Sequence, residues 1–290
     1  MTLALLLLSA ASAPAVASKT AHYANVGGGL RMYYQDQGQD RGQDQGQDRD
    51  QDRDQARPLV LIHGGGSTVQ TSFGAILPRL ARGRRVIAVE EQGHGHTADL
   101  DRPLSFEQMA DDTAALLEQL HIRDADILGF SNGGMTALQL AVRHPSLVHR
   151  LVICSGFYAH AGFIPALRDG FEQPPNPDQM PKALRDAYLA AAPHPDLRAL
   201  VAKTVAMMRS FSDLPDDKLR AIEAPTLVML GDQDVIVPGH AVKLAKLVKH
   251  GQLAILPGAQ HGAYLGVAES PSHPALVELG VAMIMGFLAE

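Results

Sequence analysis

The sequence has a single cysteine among its 290 residues and no tryptophan. One cysteine, Cys154, excludes an intrachain disulfide. It ends the apolar run Leu151-Val152-Ile153 and reads as a small buried hydrophobe at a strand end. No neighbour lowers its thiol pKa, which argues against a catalytic role. The N-terminal apolar run is too short to span a bilayer as a stable helix and no other run is long enough, so no stable membrane insertion is expected. Excess positive charge is missing too: 25 Lys and Arg stand against 31 Asp and Glu. A nucleic-acid partner would call for a basic face, so none is expected. The acidity is local. The stretch from Asp36 to Gln55 contributes −4 of the net −6, and the rest is close to neutral. A metal-ligand set is also lacking: His94 and His96 have the spacing of a pair, but sit in a glycine turn without a cysteine or carboxylate partner set.

Two segments stand apart from the rest. Residues 1–17 resemble a secretory leader, with the apolar run Leu3 to Leu8 and small residues up to Ala17, although no Lys or Arg precedes the run. A periplasmic or secreted protein is expected if the leader is used, and a cytoplasmic one if the run is only an apolar extension. Residues 36–55 repeat every four residues from Asp36 to Gln55 without one apolar side chain. Such a tract buries nothing to offset the entropy of ordering and reads as a low-complexity, disordered loop. It has neither the apolar alternation of calcium-binding β-rolls nor an EF-hand spacing.

What is present is an alternation of strands and helices. Leu30 to Gln35 suggests an edge strand. Leu59–Ile62, Arg85–Val89, Ala125–Gly129, Arg150–Cys154, Thr226–Leu230 and Leu253–Leu256 read as further strands. Phe106–Leu120, with Ser105 as N-cap, and Gly133–Arg143 read as helices. The pattern predicts an α/β fold, a mostly parallel twisted sheet flanked by helices. Residues 156–222 interrupt it with short helical pieces, Lys182–Ala191 and Leu197–Phe211, and are expected to form a helical cap. The core is then residues 18–155 and 223–290. Within the cap block, Phe157, Tyr158, Phe163, Met207 and Met208 suggest an apolar substrate pocket, although packing against the core would account for them equally well.

The chemistry concentrates at three places. Gly129-Phe130-Ser131-Asn132-Gly133 joins a strand to a helix, the setting in which a G-x-S-x-G turn holds a serine hydroxyl exposed. A serine needs an adjacent base. His261 follows the last strand and Asp234 follows the strand before it, both at the strand ends where ligands bind in open α/β sheets. The order Ser131, Asp234, His261 fits a nucleophile, acid and base relay. Asp232 competes with Asp234 but suits a turn-stabilising role. His63-Gly64-Gly65-Gly66 offers backbone N–H groups to a developing oxyanion, with Gly65 preferred over Gly66 and the N–H of Asn132 as second donor. The side chain of His63 reads as structural.

Together these motifs resemble the α/β-hydrolase superfamily, from about residue 20 to the end. The likeness is greatest to small capped members with a "GHG" turn, which include esterases, lactonases, cofactor-free haloperoxidases, C–C bond hydrolases and aminopeptidases. The resemblance implies Ser131 as nucleophile, His261 as base, Asp234 as acid and the Gly65 and Asn132 amides as oxyanion hole. It implies no cofactor and a small-molecule acyl substrate, an ester or lactone, with acyl transfer, C–C cleavage or a non-catalytic small-molecule-binding homologue as alternatives. Serine at 131 argues against the branches that use aspartate there. Glu90 stands where the family usually has Asp, and the 36–55 tract lengthens a loop that is normally short.

Overall fold

A computed structural model describes residues 20–38 and 57–290. The leader and residues 39–55 of the repeat lie outside the described residues. Eight strands form one sheet among them: β1 (Thr20–Asn25), β2 (Arg31–Gln37), β3 (Leu59–Ile62), β4 (Val86–Glu90), β5 (Ala125–Phe130), β6 (Val148–Cys154), β7 (Thr226–Gly231) and β8 (Gly251–Leu256). Their order is β1-β2-β4-β3-β5-β6-β7-β8. β2 pairs antiparallel with both β1 and β4, and the other pairings are parallel.

The central strands are apolar on both sides, which demands cover on both faces. Alternate residues point to opposite faces. Val60, Ile62, Ile127 and Ile153 belong to one buried cluster, and Leu59, Leu61, Leu128 and Val152 to the other. The first face is covered by α3 (Phe106–Gln119), α4 (Asn132–Arg143) and α9 (Pro238–Leu247), and the second by α1 (Val69–Phe73), α2 (Leu77–Leu80) and α10 (Pro274–Leu288). Ser105 caps α3 by accepting the Gln108 N–H at 3.2 Å. Between β6 and β7 the chain leaves the sheet and forms α5 (Pro165–Glu172), α6 (Lys182–Ala191), α7 (Leu197–Ser210) and α8 (Asp216–Arg220).

One strand assignment is corrected. The segment expected at the edge, Leu30 to Gln35, is the second strand, because β1 pairs outside it with Tyr23 opposite Tyr33. The strand also extends into the repeat: Asp36 pairs with Arg85 at 2.8 Å, and Gln37 is buried.

At the end of β4 two buried glutamates, Glu90 and Glu91, organise the turn. Glu90 accepts the Val69 N–H at 3.0 Å and the His96 N–H at 2.6 Å, which ties the turn to α1. A Cβ on Gly95 would come within 2.2 Å of Glu90 Oε2, so this glutamate and that glycine require each other. Glu91 is buried, with Thr136 Oγ1 donating to it at 2.9 Å, and burial pushes its carboxyl up to about 8. An acid raised on folding binds a proton that the unfolded chain releases above about pH 4.3. Stability should therefore fall as pH rises from there toward 8. Glu91→Gln should remove this dependence, so thermal melts should show its advantage over wild type growing from pH 5 to pH 8.

Candidate active site

β5 runs into α4 through Ser131, whose φ of 54° and ψ of −117° are costly for a residue with a Cβ. Neighbouring glycines make the turn possible. A Cβ on Gly129 would lie 2.1 Å from the Gly133 carbonyl oxygen, and one on Gly133 would lie 2.2 Å from that of Ile62. The turn therefore presses α4 against β3 and β5 and lifts the Ser131 hydroxyl off the sheet.

His261 Nε2 lies 3.0 Å from Ser131 Oγ, and its Nδ1 lies 2.7 Å from Asp234 Oδ1. A carboxylate only accepts, so Nδ1 carries the proton and Nε2 is left to accept from the serine. The imidazole also packs at 5.0 Å from the Phe130 ring. Asp234 sits beyond β7. Burial alone would push its carboxyl up, but hydrogen bonds and the charge of His261 outweigh this and hold it below the usual carboxylate range. Asp232 faces elsewhere, accepting the Gly258 N–H at 2.7 Å.

Ser155, just past β6, escaped the sequence reading. Its Oγ donates to Asp234 Oδ2 at 2.6 Å and accepts the Gly262 N–H at 3.4 Å. Tyr264 OH lies 3.0 Å from the same oxygen and donates to the Met229 carbonyl at 2.9 Å. The available signal was a polar residue at a strand end between two strand ends that carry chemistry.

The glycine loop after β3 is fixed from below by His63. Its Nδ1–H donates to the Gly64 carbonyl at 2.7 Å, and its Nε2 accepts the Glu91 N–H at 3.1 Å. Burial lowers its pKa, which suits the neutral ring this pairing needs. A Cβ on Gly65 would fall 2.4 Å from Asn132 Nδ2, so loop and helix start are in contact. Among the described residues, no acceptor takes the backbone N–H of Gly65 or Asn132. Gly66 has a left-handed φ of 69° and adjoins Met180 instead.

These groups open on a cavity of about 460 Å³ between the sheet edge and α5, α6 and α7. Phe157, Phe163 and Met208 line it. Tyr158 and Met207, expected there as well, do not. Tyr158 turns its ring onto His240, with centroids 3.9 Å apart. Met207 lies one residue, about 100°, around α7 from Met208 and is buried in the core. His94 is buried and its Nδ1 bonds the Gln92 carbonyl, while His96 bonds Glu90. Among the described residues, no group of three potential metal ligands forms.

A family model for the alpha/beta hydrolase fold matches residues 57–221. The chain belongs to that family, and it is an enzyme of the hydrolase class. It is similar to the human serine hydrolase BPHL, 28% identical over 251 residues, which cover 83% of this chain and 80% of the relative. It is also similar to the pimeloyl-[acyl-carrier protein] methyl ester esterase of Neisseria meningitidis, 29% identical over 74% of this chain and 90% of the esterase. Among solved structures, the 2-hydroxy-6-oxo-6-phenylhexa-2,4-dienoate hydrolase of a Rhodococcus species shares the fold. The TM-score is 0.72 at 20% identity, covering 94% of this chain and all of the other.

Ser155→Ala should leave one oxygen of the buried Asp234 without its donor. A hydrogen bond to a charged group contributes about 1.5–3 kcal/mol. Steady-state kinetics should show kcat reduced about tenfold or more with KM little changed.

Proposed function

We propose that the protein hydrolyses a small-molecule carboxylic ester or lactone through an acyl-enzyme on Ser131. The observation that carries this reading is the continuous hydrogen-bonded chain from Ser131 through His261 to Asp234, opening on an apolar cavity beside two unpaired amides. Ser131 Oγ attacks the carbonyl carbon while His261 Nε2 takes its proton. Asp234 stabilises the imidazolium that forms. The negative charge on the carbonyl oxygen is received by the N–H groups of Gly65 and Asn132, which need not reorganise to meet it. His261 then gives its proton to the leaving oxygen. Water, activated by the same imidazole, attacks the acyl-enzyme and releases the acid.

The cavity wall supports an ester over the dienoate named for the structural neighbour. Among the described residues no Lys or Arg lines it, so a substrate carboxylate entering the cavity would lose its hydration without gaining a cation. Phe157, Phe163 and Met208 offer apolar cover for an acyl or alkoxy chain.

A panel of p-nitrophenyl acetate and butyrate tests the reading. Wild type should turn both over, and Ser131→Ala should lower kcat on the order of 10⁴-fold or more. Equal activity of the two proteins would defeat the proposal. Free acid as sole product, with an alcohol present, separates hydrolysis from acyl transfer. The leader is proposed to direct export, in which case sequencing of the mature N-terminus should begin at Ser18.

A further inference from the structure

Among the described residues, the cavity wall contains one acidic side chain, Glu269, and no basic residue other than His261. Glu269 lies in the turn after the short helical segment Ala263–Leu265. That turn is anchored on both sides. The Ala268 N–H donates to the Thr71 carbonyl at 2.9 Å, and Ser270 Oγ donates to the carbonyl of His261. The acid is thus held beside the base of the proposed relay.

Among the described residues it has no Lys or Arg counterpart, and His261 is the one basic group that acts on it. Glu269 Oε2 is sealed from solvent and has no hydrogen-bond partner, and the carboxyl draws on its own backbone N–H. No ion pair to Glu269 is present among the described residues, although Arg and Lys pair with acids elsewhere on the chain. An uncompensated carboxylate in low-dielectric surroundings projects a field into the adjoining space. Burial pushes its carboxyl up, while the backbone N–H and His261 oppose that, so a cation nearby would favour the ionised form.

We infer that Glu269 is a specificity-determining residue, giving the cavity a preference for esters whose acyl part carries a protonated amine and a bias against those carrying a carboxylate. This rests on the hydrolase reading above but makes a separate claim. Attraction and repulsion both act here, since one fixed charge favours the cationic substrate and disfavours the anionic one.

The test uses p-nitrophenyl esters of short and medium acyl length, each ending in a methyl, an ammonium or a carboxylate group. For wild type, kcat/KM should fall in the order ammonium, methyl, carboxylate. In Glu269→Gln the ammonium-to-carboxylate ratio should drop roughly tenfold to a hundredfold, the size of a unit-charge interaction across a partly shielded cavity. An unchanged ratio would overturn the inference, as would an equal loss on all three esters, which would mark Glu269 as a support for His261. Binding gives a second readout that needs no turnover. Titration calorimetry should show Ser131→Ala binding hexylammonium more tightly than hexanoate, and the double variant with Glu269→Gln should lose the difference. Selective binding without ester turnover would refute the hydrolase reading and leave the charge preference standing. Ser131-dependent turnover with no charge preference would do the reverse.

Discussion

The hydrogen bond between Asp234 and His261 decides what the rest of the site can do. At 2.7 Å it places the proton on Nδ1 and so turns an acceptor nitrogen toward Ser131. The carboxylate that sets this tautomer is buried, and a buried charge is costly unless it is hydrogen-bonded. Three groups besides the imidazole's charge meet that need: the His261 ring, the Ser155 hydroxyl and the Ile236 N–H. They come from segments beyond β8, β6 and β7. The site is thus a product of parallel strand order, because adjacent parallel strands deliver their C-terminal ends to one edge of the sheet.

The glycine-rich turns serve the same constraint. Ser131 occupies a strained backbone conformation that only close packing can maintain, and Gly129 and Gly133 allow that packing. Below the neighbouring loop, His63 holds the Gly64 carbonyl on one side and receives the Glu91 N–H on the other. This leaves the Gly65 N–H directed by a rigid support, which is the condition for stabilising charge without reorganisation.

Much of this was legible in the sequence because the signals were local. The apolar runs of β3 to β7 and the periodicity of α3 and α4 predicted elements whose limits in the structure differ by at most two residues. Ser131, Asp234 and His261 were readable because each follows a strand. Other features depended on contacts that no window contains. β1, Thr-Ala-His-Tyr-Ala-Asn, has little strand character by itself and exists through pairing with β2. α10 is so uniformly apolar that its periodicity is blurred. Ser155 meets Asp234 across 79 positions of chain. Phe157 and Tyr158 are adjacent and chemically alike, yet only the first faces the cavity, since direction follows from local backbone geometry rather than composition.

The segment between β6 and β7 covers the edge of the sheet that carries Ser131. Its helices close an apolar space over Ser131, while the turn carrying Glu269 brings to the wall a carboxyl with no Lys or Arg partner among the described residues. In the proposed reading, reaction and selection draw on different parts of the chain, with His261 as the point where they meet. The relay itself is tested most directly by labelling with a fluorophosphonate probe followed by peptide mapping. The account predicts one adduct, on Ser131, with labelling strongly slowed in His261→Ala. No adduct, an adduct on another residue, or labelling of Ser131 at an unchanged rate without the imidazole would contradict it.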